Sequence, residues 1–61
     1  MFTVSLMASS PLRPNLRTCY RFTISSQDAK TIEEAKIKAV VLALQEELIE
    51  PKVYAVKKEY A

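Results

Sequence analysis

The chain has 61 residues, 49% hydrophobic and 26% charged, with a formal net charge of +2. This is the composition of a folding chain with room for one small domain, and it excludes a disordered tail. One cysteine and no histidine exclude an internal disulfide and the common Cys/His zinc spacings, and the absence of glycine excludes a phosphate-cradling loop and a dinucleotide fingerprint.

From Phe2 to Leu6 the side chains alternate, with Phe2, Val4 and Leu6 on one face and Thr3, Ser5 and Met7 on the other, the period of a half-buried strand. Ser9, Ser10, Pro11, Pro14 and Asn15 then read as a hairpin loop, with Asn15 offered to a left-handed turn position. Alternation resumes over 16–26: Leu16, Tyr20, Phe22 and Ile24 point one way, while Arg17, Cys19, Arg21, Thr23 and Ser25 point the other. Asp28 is read as helping to begin a helix. The segment Thr31-Ile32-Glu33-Glu34 matches a capping box, which predicts a helix from about Ile32 to Ile49. Pro51 biases Glu50 away from helical dihedrals and ends it there. Lys52 to Tyr60, rich in Val and Tyr, reads as a third strand.

The connection from the second strand through the helix to the third is a crossover, so these two strands should run parallel with the first between them. The expected fold is α+β, of ββαβ order, with a three-stranded sheet (order 2-1-3) and one helix packed on one face, all within a single domain over 1–61.

The helix carries two apolar stripes. Ile37, Val40, Val41, Leu44 and Leu48 form one, assigned to the sheet; Ile32, Ala35, Ala39, Leu42, Ala43 and Ile49 form a second beside it. A surface helix of a small domain needs only one, and a domain of this size buries just roughly 60% of its unfolded surface. With disulfide and metal excluded, a partner subunit is the remaining support. A homodimer is therefore expected, with Ala35, Ala39, Leu42, Ala43 and Ile49 as the helix interface; an exposed strand edge is the alternative contact.

Charge is segregated along the chain. Residues 1–27 carry +3 (Arg13, Arg17, Arg21, no acid), 28–50 carry −3 (three lysines against six acids) and 51–61 carry +2 (three lysines against Glu59). A basic sheet face of Arg13, Arg17, Arg21, Lys57 and Lys58 with Tyr54 and Tyr60 has the mix of cations and rings that suits nucleic acid or an acidic partner. Cations on strands that face solvent also serve simply to prevent aggregation. The glutamates Glu46, Glu47 and Glu50 read as a solvated face and not as a metal or acid-base site.

Cys19 is the sole candidate nucleophile, and without histidine to act as base an acyl-transfer mechanism lacks its second member. No catalytic residue, metal or cofactor is expected. The leading expectation is a small non-catalytic regulatory or adaptor protein acting by protein-protein binding as a homodimer; the alternative is a small nucleic-acid-binding protein using the outer sheet face. No apolar run approaches the roughly 18 to 20 residues of a membrane span, so no membrane contact is expected. A lone cysteine fits a reducing compartment and a cytoplasmic location. The acid-free first 27 residues also resemble an organelle transit segment in composition, a reading that their strand periodicity opposes.

Overall fold

The computed structural model describes residues 1–59. Its elements are β1 (Phe2–Ser10), β2 (Arg13–Ile24), α1 (Ile32–Gln45) and β3 (Ile49–Lys58). The sheet order is β2-β1-β3 and β1 is antiparallel to both neighbours. The outer strands thus run parallel to each other, and α1 covers one face, the α+β arrangement that the alternating strands and the crossover predict.

β1 is the centre of the molecule. Its inward residues Phe2, Val4, Leu6 and Ala8 are all fully buried, with Ile24 of β2 beside them. Tyr20, Phe22, Val53 and Val56 close the flanks of this core. A bulge interrupts β3: Ser5 stands opposite Ala55 but Leu6 opposite Val53, so Tyr54 is the extra residue. A second irregularity lies at the start of β3, between the pairs Met7–Lys52 and Ser9–Ile49.

The hairpin turn is shorter than the sequence suggests. Only Pro11 and Leu12 separate the strands, and Pro14 and Asn15 belong to β2. Pro14 is tolerated because β2 is an edge strand. Asn15 is not left-handed; that conformation falls to Glu47 and Glu50. The hairpin also outruns the helix, giving the molecule its length of 36 Å. Leu16, assigned by alternation to the core side, is consequently 52% exposed.

At the start of α1 the Thr31 hydroxyl accepts from the Glu34 amide at 3.1 Å. The Glu34 carboxylate accepts from the Lys30 amide at 3.3 Å, one residue before the position a capping box predicts. Asp28 does not cap the helix: it closes the preceding turn, its amide donating to the Ser25 carbonyl and its carboxylate accepting from the Ser25 hydroxyl.

The helix ends at Gln45 and not at Ile49, because the chain closes a Schellman motif. The Leu48 amide donates to the Ala43 carbonyl and the Glu47 amide to that of Leu44, both at 3.0 Å, with Glu47 at φ 64°. Leu48 turns back into the core beside Ala43 and contributes the hydrophobic contact of that motif.

The two helix stripes exchange roles relative to expectation. Ala35, Ala39 and Ala43 face the sheet and are fully buried, and Leu42 packs half-buried against the same core. Ile37, Val41 and Leu44 face outward at 65%, 43% and 56% exposure. Volume explains the exchange: Phe2, Leu6 and Ile24 fill the space above the sheet, and a close-packed interior leaves room only for methyl groups from the helix.

Candidate functional site

Two surfaces concentrate the chemistry, one on each side of β3. The first is the flank where α1 meets that strand. Ile37, Val40, Val41, Pro51 and Val53, with Lys36 and Lys52 at the rim, line an open apolar groove of about 440 Å³. The groove forms because α1 lies nearer to β3 than to the other strands and presents its larger side chains there. Of the expected interface residues, Ala35, Ala39 and Ala43 are core, Leu42 is half-buried in it, and Ile49 has moved from the helix to β3, 38% exposed. The residues missed, Ile37, Val41 and Leu44, were visible in the sequence as the other stripe.

The second surface is the outer face of the sheet. Thr3, Ser5, Met7 and Ser9 of β1 form its floor, and the register sets Thr23, Arg21, Cys19 and Arg17 of β2 beside them. From β3 come Lys57 opposite Thr3, Ala55 opposite Ser5 and Lys52 opposite Met7. An open cavity of about 360 Å³ lies among Thr3, Ser5, Arg21, Ala55, Lys57 and Glu59.

Tyr54 reaches over this floor. Its hydroxyl lies 2.7 Å from the Cys19 Sγ on the far edge strand, so the ring crosses β1. That hydrogen bond, followed by partial loss of solvation, raises the Tyr54 pKa, against opposing pulls from Ser5 and Arg21.

The cations expected on this face divide into three groups. Arg21 and Lys57 are brought together there with Tyr54. Arg17 is on the face, but its guanidinium is engaged internally: Nη1 donates to Ile49 O and Ser9 Oγ, and Nη2 to Met7 O and Glu50 O. Lys58 is on the opposite side, opposite Phe2 in register and with its Nζ 5.8 Å from the centre of the Phe2 ring. Arg13 pairs with Ser10 beside the hairpin turn, five β1 positions or roughly 17 Å of strand from Ser5, the partner of Arg21. Tyr60 lies outside the described residues.

Among the described residues no cluster of His, Cys, Asp and Glu could hold a metal ion, and no helix is long and apolar enough to cross a membrane. No protein-family model, curated protein or solved structure matches the chain.

Proposed function

We propose that this chain is a non-catalytic regulatory or adaptor domain that acts by protein-protein binding and works as a homodimer joined through the α1–β3 flank. The observation that carries the reading is the outward apolar stripe of Ile37, Val41 and Leu44 beside the groove floored by Pro51 and Val53. Its core supports the same conclusion. The largest fully buried apolar side chains are only Phe2, Leu6, Ile24 and Val4, while the helix gives alanine to the interior and its larger residues to the outside. A second copy removes those residues from water where the monomer cannot.

The seat is the groove and not the strand ladder. Pro51 has no amide hydrogen to give and Lys52 adds a charge to the edge, two devices that hinder pairing at the start of β3. A two-fold contact must bring like patches together. An antiparallel pair of α1 helices centred on Val41 satisfies this, sets Ile37 against the partner's C-terminal turn and brings Lys36 towards the partner's Glu46.

Sedimentation at micromolar concentration tests the dimer. A dimer that becomes a helical, soluble monomer in Val41→Glu and in Leu44→Glu is the expected result. A wild-type monomer that stays well folded at that concentration would remove the reading.

A further inference from the structure

The outer face of the sheet is the other unpartnered surface, and it shares only Lys52, at the edge of β3, with the α1–β3 groove. Along its centre β1 contributes short side chains, Thr3 and Ser5, while the strands on either side contribute long cations. The result is a trough, roughly 10 Å between edge strands at the usual strand spacing. Arg21 stands on one wall and Lys57 on the other, with Lys52 further along. These three make no ion pair among the described residues.

Among the described residues Glu59 is the one acid bordering the cavity, where its carboxylate accepts from the Thr3 hydroxyl at 3.4 Å. The acids Glu33, Glu34, Glu46 and Glu47 belong to α1 and its C-terminal turn, on the side of the molecule that the helix covers. Lys36, Lys38 and Lys58 on the helix side largely offset these acids, so the net charge of +2 lies mainly on the open sheet.

Within that basic trough lies a ring. Tyr54 is 58% exposed, and its bond to Cys19 holds it across the floor instead of upright in solvent. A ring fixed in this way loses little freedom on stacking.

We infer that the outer sheet face binds single-stranded nucleic acid, its phosphates held by Arg21, Lys52 and Lys57 and a base stacked on Tyr54. Charge complementarity selects a polyanion, and the pre-oriented ring selects one with flat aromatic groups, which an acidic peptide lacks. The narrow trough admits one strand and not a duplex. Stacking with few base-edge contacts makes the recognition tolerant of sequence.

The test is fluorescence anisotropy of the full chain with labelled oligo-dT and oligo-U of about twelve nucleotides. With three phosphate contacts, affinity should fall roughly twentyfold between 50 and 200 mM salt, and Arg21→Gln with Lys57→Gln should reduce that fall to roughly threefold. Tyr54→Ala should weaken binding roughly tenfold or more at constant salt, while Tyr54→Phe, which keeps the ring, should stay closer to wild type. Three results would each overturn the inference: no binding at 50 mM salt, affinity unchanged in the double variant, or equal affinity for polyglutamate or for duplex DNA of the same length. Circular dichroism of each variant checks that these surface changes leave the fold intact.

Discussion

The guanidinium of Arg17 on β2 donates to the carbonyl oxygen of Glu50 on β3 at 2.6 Å, across the whole width of the sheet. Glu50 has φ of 48°, a left-handed conformation unfavourable for any residue with a Cβ, and Pro51 follows it. With the further bonds to Ile49 O, Met7 O and Ser9 Oγ, one side chain ties all three strands together where β3 begins. Arg17 is thus a staple more than a ligand. Its planar fork is what allows four acceptors to be met at once.

Arg17→Lys should therefore be no conservative change. It keeps the charge and loses the fork, and we expect stability to fall by about 1 kcal/mol, since the group is exposed and water competes for each bond. A lower urea midpoint with an unchanged slope would be the signature; an unchanged midpoint would show that the staple is dispensable.

Glu47 occupies the position after the helix C-cap that glycine usually fills. Glu47→Gly should raise stability by about 0.5 to 1 kcal/mol, because relief of the left-handed strain outweighs the added freedom of the unfolded chain. Glu47→Val, β-branched at positive φ, should lower it. Thermal melts of the pair give opposite shifts if the Schellman geometry is right.

The inward stripe of α1 has no spare volume. Ala39→Leu should destabilise by about 1 to 3 kcal/mol through overpacking. Val41→Leu adds a single methylene on the outward stripe and should leave chain stability within about 0.5 kcal/mol. A larger loss at Val41 than at Ala39 would mean that the stripes are assigned the wrong way round.

Tyr54 offers a titration. Its raised pKa means that the Cys19 contact favours the neutral phenol, so its contribution to stability is complete below the ordinary tyrosine value of about 10 and is lost as pH rises through the higher folded value. Cys19→Ala should lower the midpoint of phenolate absorbance for Tyr54. No movement of the Tyr54 signal would place the hydroxyl away from the sulfur.

What could be read from the sequence is what local periodicity encodes. Alternation placed Phe2, Val4 and Leu6 inward and Arg21 outward, and the threonine before Ile32-Glu33-Glu34 marked the helix start. Two helix stripes of comparable width left the choice of face to volume, which depends on Phe2, Leu6 and Ile24, distant in the chain. Arg17 on an outward strand position looks the same whether it meets solvent or a carbonyl 33 residues away. Lys57 and Lys58 could not be separated because the face each takes depends on the bulge at Tyr54, and Tyr54 itself is the residue that bulges.

That bulge gives β3 a spare residue. Val53 and Val56, three apart, could not both face the core in a regular strand, where inward positions recur every second residue. Losing Ala55 would restore a regular ladder with both valines still inside, whereas losing a residue from a regularly paired stretch of strand would invert every side chain beyond it. The middle of β3 is thus a point in the sheet where the chain can shorten by one without exchanging inside for outside.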